Sequence, residues 1–258
     1  MRLTGNTILV TGGGSGIGAG LAAALHHGGN RVIIAGRRRE ALEAVVRAHP
    51  GMECLPFDQS DPECVDAFAD EVVRRHPELN VLVNNAGIMA AEDLTTPDPR
   101  VIRAVCATNL IGPLLLTSRL LPTLRKRPRA AIVNVSSALA FVPMASLPTY
   151  SATKAAMHAY TESLRFQLRH SRIQVIEIPP PRVYTGADGA GSAGGADGAD
   201  GAGGAHVDGF VAETMALMAA HPGADEVVVD AARFLRFAER RGDYEKAYAT
   251  VNSEKGTS

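Results

Sequence analysis

Tyr150 and Lys154 stand four residues apart in Thr-Tyr-Ser-Ala-Thr-Lys-Ala-Ala, and Ser137 closes Ile-Val-Asn-Val-Ser-Ser thirteen residues before the tyrosine. On a helix, the i,i+4 relation places the phenol and the ammonium on one face, where the cation stabilises a phenolate. A free tyrosine titrates near ~10, so at neutral pH it needs such a neighbour to serve as a general acid or base. The spacing therefore predicts a proton-transfer device.

A second set of residues is suited to binding phosphate. Residues 7–11, Thr-Ile-Leu-Val-Thr, form a short apolar β-prone run that leads into Gly12-Gly13-Gly14-Ser15-Gly16-Ile17-Gly18 and then the helix-forming Leu-Ala-Ala-Ala-Leu. Strand, glycine turn and helix in this order are what a dinucleotide site requires. Glycines let the backbone approach a pyrophosphate, and amides at the helix N-terminus face its charge.

The elements that must hold these residues are legible as an alternation. Strand-like runs fall at Ile8–Thr11, Arg31–Ala35, Cys54–Phe57, Val81–Asn84, Ala131–Val135 and Gln174–Ile178, with helical stretches of roughly a dozen residues or more between them, as parallel crossovers need. We therefore expect one α/β domain over residues 1–258, a Rossmann-type doubly wound parallel sheet of about six strands. Its ligand crevice lies beyond the carboxyl ends of the strands, where the motifs above fall.

Together these motifs resemble the short-chain dehydrogenase/reductase family, in its compact single-domain type. The glycine pattern is Thr-Gly-x-x-x-Gly-x-Gly, from Thr11 to Gly18, and further landmarks follow in family order over about residues 5–185: Asp58 in Phe-Asp-Gln-Ser-Asp, Asn84-Asn85-Ala86-Gly87, Asn109 in Thr-Asn-Leu-Ile-Gly-Pro, and then Ser137, Tyr150 and Lys154. The resemblance implies that Tyr150 protonates a carbonyl oxygen as hydride arrives from nicotinamide, and that Ser137 hydrogen-bonds the same oxygen. It implies that Lys154 lowers the tyrosine pKa and holds the ribose, while Asn109 positions a water linking the lysine to solvent. Thr11, Gly12, Gly14, Ser15, Gly16, Ile17 and Gly18 would line the cofactor, with Asn85, Ala86 and Gly87 on its adenosine and pyrophosphate side. Asp58 has two readings, a contact to the adenine amino group or an Asx turn. Pro180, Val183 and Thr185 would flank the carboxamide, although Pro181 replaces a usual glycine and fixes the local φ.

The cofactor's identity rests on the end of strand two, Val32-Ile33-Ile34-Ala35-Gly36-Arg37-Arg38. No acidic residue stands here to bind a ribose 2′-hydroxyl, whereas Arg37 and Arg38 offer guanidinium groups suited to a phosphate. NADP(H) is expected over NAD(H); the plainer reading is a solvated basic loop. An intact Asn109, Ser137, Tyr150, Lys154 set favours a reductase or dehydrogenase acting on a small carbonyl or alcohol substrate. The alternative is a catalytically silent NADP(H)-binding sensor.

Composition narrows the remainder. The 258 residues are 46% hydrophobic with a formal net charge of -1, which suits a buried sheet and gives no broad basic surface for nucleic acid. No membrane partner is expected, since no run of ~18 uninterrupted apolar residues occurs and the first residues lack a cleavage pattern. Cys54, Cys64 and Cys106 form no C-x-x-C pair, so a reducing, cytoplasmic location is expected. The eight histidines are scattered without a ligand pattern, and no metal is expected.

Two regions depart from the family pattern. Residues 186–205 contain nine glycines, seven alanines, three aspartates and one serine, a composition that reads as a flexible loop, either a substrate lid or an inert surface insertion. The helix expected after it, about Val207 to Ala220, is the better candidate for a pocket wall. From Ala224 onward the pattern reads as helical with no seventh strand, giving an atypical helical C-terminus. This tail, with Pro180-Pro181-Arg182-Val183-Tyr184-Thr185, resembles the bacterial oxidoreductases named for loci of D-alanine esterification of teichoic acids. Family members pair through the helices bearing Asn109 and Tyr150. Without a seventh strand, a homodimer is expected rather than a tetramer.

Overall fold

The structure is a computed structural model, and it describes residues 1–184 and 205–253. Six parallel strands form one sheet: β1 (Thr7–Thr11), β2 (Arg31–Gly36), β3 (Glu53–Pro56), β4 (Val81–Asn84), β5 (Ala130–Val135) and β6 (Ile173–Ile178). Their order is β3-β2-β1-β4-β5-β6, so the chain reverses direction across the sheet between β1 and β4. At such a switch point the connections diverge and leave a crevice at the carboxyl ends of the strands.

Alternation along each strand divides the core in two. Ile8, Val10, Val32, Ile34, Ile176 and Ile178 point to one face, whereas Leu9, Ile33, Leu82 and Ile132 point to the other. The first face is covered by α1 (Gly16–His27), α7 (Val207–Ala220) and the C-terminal helices; the second by α3 (Pro62–Arg75), α5 (Gly112–Arg125) and α6 (Pro148–Leu168). The helix α2 (Arg39–Ala48) lies beside β3.

Helix α4 (Pro99–Cys106) runs into α5 through a single π turn, Ala107–Ile111. By length and composition the stretch Pro99–Arg125 could cross a membrane, but here Leu116, Leu120 and Leu124 are fully buried in the core against the sheet.

Helix α7 matches its expected bounds. Phe210, Val211 and Met218 are buried in the core, and α7 packs on α1 so closely that a Cβ at Gly20 would lie 2.9 Å from Val211 Cγ2. These three side chains belong to the core, while Met215 and Leu217 are half-buried.

The C-terminus also differs from expectation at its start. Residues 224–229 are not helical: Glu177 of β6 accepts from Val227 N at 2.8 Å and donates its own amide to Asp225 O at 2.9 Å, a lone parallel bridge in the place of a seventh strand. Val227 and Val229 are buried there, which explains an apolar run that helical periodicity alone absorbs into the next element. Helices α8 (Asp230–Arg236), α9 (Ala238–Arg241) and α10 (Tyr244–Asn252) follow. The Gly/Ala-rich residues 186–204 lie outside the described residues. The short strands β7 (Val183–Tyr184) and β8 (Ala205–His206) pair in parallel on either side of them.

Candidate active site

The glycine turn is fixed by close packing against the end of β4. Gly12 has φ 68°, a conformation that favours glycine, and a Cβ there would lie 2.8 Å from Ala86 Cα. Gly18 faces the same place, where a Cβ would collide with the Gly12 carbonyl and Asn85 Nδ2. Thr11 Oγ1 accepts from the amides of Asn85 and Ala86, both at 3.1 Å, and Asn85 Nδ2 returns a bond to Thr11 O at 2.9 Å. The two motifs, 74 residues apart, are thus one rigid unit.

Helix α1 begins at Gly16 with no side-chain cap from Ser15 and no acidic residue in its first turn. Its first amides therefore retain their donors for an anion. Ser15 Oγ instead accepts from Arg38 Nη2 at 2.8 Å, so Arg38 reaches the glycine turn from β2, with Arg37 exposed beside it. Gly14 and Ile17 complete this loop. Asp58 lies just past β3, where its carboxylate accepts from Ser60 N at 3.0 Å and Ser60 Oγ at 2.6 Å. These bonds make an Asx turn through Oδ1.

At the carboxyl ends of β4 and β5 the proton-handling residues converge. The π turn carries Asn109 inward: its Oδ1 accepts from Ile88 N at 2.8 Å, and its Nδ2 donates to Ile88 O at 2.9 Å and to Thr153 Oγ1 at 3.3 Å. A π turn of this kind re-aims one side chain without ending the helix. A Cβ on Gly87 would lie 3.3 Å from Asn109 Oδ1 and 3.7 Å from Lys154 Nζ. That one small residue separates the β4 end from both groups.

Ser137 follows β5, and its Oγ accepts from Leu139 N at 3.1 Å. That bond uses one lone pair and leaves the hydroxyl proton free to donate. Lys154 is 5% exposed; its Nζ donates to Val135 O at 2.8 Å and lies 5.7 Å from the Tyr150 ring centroid. Burial lowers the ammonium to about 8, against an opposing pull from the Glu177 carboxylate. Burial raises the Tyr150 phenol, and the neighbouring Ser137 hydroxyl opposes this. The structure therefore corrects one expectation: Lys154 does not bring the phenol below its ordinary value here. Pro180 O accepts from Ala138 N at 2.8 Å, tying the β6 end to the Ser137 turn, and Val183 sits in β7. Thr185 lies outside the described residues.

Five residues escape motif reading. Thr153, next to the lysine, takes Asn109 Nδ2 and donates to Tyr150 O at 2.7 Å. Gln59 Nε2 donates to Ala86 O at 3.1 Å and Thr108 O at 2.6 Å, joining the β3 end to the π turn. Glu92 accepts from Thr149 N and Oγ1 at 3.1 and 2.8 Å, anchoring the first turn of α6 beside Tyr150. Buried Glu177 pairs with half-buried His158 at 2.7 Å. Only Thr153 had a signal, its place between Tyr150 and Lys154.

A phosphate-ready glycine turn, a parallel sheet with a switch point and a tyrosine beside a buried lysine define a dinucleotide-binding α/β oxidoreductase. A model of the short chain dehydrogenase family matches residues 6–193, and the chain belongs to that family. It is 42% identical over 188 residues to the uncharacterized oxidoreductase DltE of Bacillus subtilis strain 168, covering 72% of this chain and 75% of that one. Among solved structures, a short-chain dehydrogenase from Streptomyces avermitilis superposes with TM-score 0.80 at 28% identity, over 95% of this chain and 94% of that one. A Burkholderia cenocepacia J2315 short chain dehydrogenase solved in complex with NADP gives TM-score 0.78 at 28% identity, over 96% and 99%.

Proposed function

We propose that the chain is an NADP(H)-dependent oxidoreductase acting on a carbonyl or secondary alcohol. The observation that carries this reading is the convergence of Ser137, Tyr150 and Lys154 with Asn109 and Gly87 at the strand ends, next to an uncapped helix N-terminus. A bound nicotinamide supplies or accepts the hydride. Tyr150, which keeps its proton at neutral pH, gives it to the carbonyl oxygen in reduction and regains it in oxidation. Ser137 directs its hydroxyl to the same oxygen. Lys154 spends one of three N–H donors on Val135 O and keeps two for ribose hydroxyls. The glycine turn, Asn85, Ala86 and Gly87 allow a backbone approach that side chains would block.

The preference for NADP(H) rests on Arg38 over the glycine turn and Arg37 beside it, on the lack of an acidic residue at the end of β2, and on the NADP found with the Burkholderia relative. Calorimetric titration is expected to give NADPH an affinity at least about tenfold above NADH. An Arg37→Asp/Arg38→Ala variant is expected to lose that ratio; equal affinities in the wild type would overturn the preference. A turnover screen with both nucleotides against ketones, aldehydes, sugars and alcohols then separates an enzyme from a silent sensor. Free Cys54, Cys64 and Cys106 support a reducing, cytoplasmic setting, and exposed Ile111, Leu115 and Phe166 on the Asn109 and Tyr150 helices support a homodimer.

A further inference from the structure

We propose that Glu177, paired with His158, is the buried counter-charge that keeps Lys154 protonated, a positioning pair for the proton-transfer centre. The proposal deepens the reading of Lys154 given above and rests on it for its catalytic consequence.

Glu177 belongs to β6 and is 1% exposed, the only buried carboxylate among the described residues. A carboxylate in such a place costs several kcal/mol unless it is paired and hydrogen-bonded, so its presence calls for a reason. Its Oε1 accepts from Ser136 Oγ at 2.5 Å, and its Oε2 lies 2.7 Å from His158 Nδ1. Ser136 immediately follows Val135, whose carbonyl holds the Lys154 ammonium. His158 is one helical turn past Lys154 on α6. Its ring meets Phe141 edge-on, 4.7 Å between centroids, which fixes its orientation toward Glu177. One short stretch of β5 thus presents the lysine on one side and the carboxylate on the other.

The charges around the pair are few. Glu177 is the carboxylate whose charge reaches Lys154, across from Tyr150 on α6 and the neutral Asn109. His158 is faced by Glu177 from β6, by Glu162 from its own helix at 3.8 Å, and by Arg236 from α8, whose guanidinium is itself paired with Glu226 and stacked 4.1 Å over Phe141. A Lys154 midpoint of about 8 leaves about nine in ten molecules protonated at pH 7. Removing the opposing carboxylate charge lowers that midpoint further and neutralises a large share of the lysines at working pH. His158 completes the device. Its raised pKa comes chiefly from the Glu177 hydrogen bond, and as it loses its proton with rising pH the Glu177 charge is less shared and acts more fully on Lys154.

The chain has four lysines, so NMR of isotope-labelled lysine side chains resolves Lys154 by its loss in a Lys154→Met variant. This titration uses full-length protein without cofactor, so it reports on the proposal even if NADPH does not bind. Glu177→Gln, which keeps the shape, is expected to lower the Lys154 midpoint by about one pH unit or more, a tenfold change in proton affinity. Glu177→Asp, which keeps the charge, is expected to restore most of it. In parallel, the Glu177→Gln protein should lose NADPH affinity at a lower pH than the wild type. An unchanged Lys154 midpoint in Glu177→Gln would overturn the proposal. Should that variant fail to fold, His158→Gln still decides: the midpoint holding or rising supports the counter-charge, and a fall by half a unit overturns it.

Discussion

At the scale of single residues, the proposed site sets an acid that keeps its proton beside an ammonium whose midpoint lies near working pH. Burial raises the Tyr150 phenol, so across the neutral range it carries the proton that reduction requires. Lys154, at about 8, is then the group that changes state first as pH rises. The reductive kcat/KM is therefore expected to fall through an apparent pKa near 8 that belongs to Lys154, and a limb above 10 would assign it to the phenol instead. Tyr150→Phe should lower kcat by about 10²–10⁴ and leave NADPH affinity nearly intact, whereas Lys154→Met should damage both. Steady-state kinetics beside a binding titration checks the split, and a Phe variant retaining most of its kcat would remove the acid from the mechanism. The same lysine ties stability to pH. Its folded pKa is depressed from 10.5 to about 8, so between these values the unfolded chain binds more protons and stability rises with pH. Denaturant unfolding from pH 7.5 to 10 should show the wild type gaining on Lys154→Met by up to about 3 kcal/mol. A flat difference would mean that Lys154 titrates normally.

At the scale of elements, the C-terminal helices act on the site through the loop that feeds α6. Asn252, at the end of α10, accepts from Ala145 N at 2.5 Å and donates to Pro143 O at 3.1 Å. Both partners lie in the segment between Ser137 and Tyr150, so the last helix fixes a loop that leads into the proton donor. Asn252→Ala is expected to cost about 1–2 kcal/mol of stability and to speed amide exchange over residues 143–147, with KM raised more than kcat. Exchange unchanged in that loop would limit Asn252 to capping its own helix. The elements themselves were legible where one signal dominates. The six β runs are apolar because parallel strands are covered on both faces, and the Gly12–Gly18 turn is fixed by contacts only glycine permits. Residues 224–229 were not legible, because a single bridge at Glu226 leaves no period of two and the valines merge with the helical pattern that follows. Glu177 and His158 were invisible for another reason. They stand nineteen residues apart on different elements, and only the packing of α6 on β6 brings them together.

At the scale of the whole molecule, the arrangement of surfaces constrains assembly. The β6 edge of the sheet is where another copy could add strands, but at Glu177 both main-chain groups are already bonded to Asp225 and Val227. Helices α8, α9 and α10 follow directly and extend the core beyond that edge, with Ala232, Ala238 and Ala247 fully buried. The helical side of the molecule is different. Ile111 and Leu115, on the π turn and α5, are 46% and 38% exposed, and Phe166 on α6 is 66% exposed. These are the helices that carry Asn109, Tyr150 and Lys154, so an isologous contact there would brace two sites at once. One such interface and a blocked sheet edge fit the homodimer proposed above. Light scattering is expected to give the mass of two chains, and Leu115→Glu with Phe166→Glu should shift it to one, because charges buried in a contact of this size cost more than the contact supplies. A mass of four chains would require a second interface that the capped β6 edge does not offer, and would show that the C-terminal helices themselves form it.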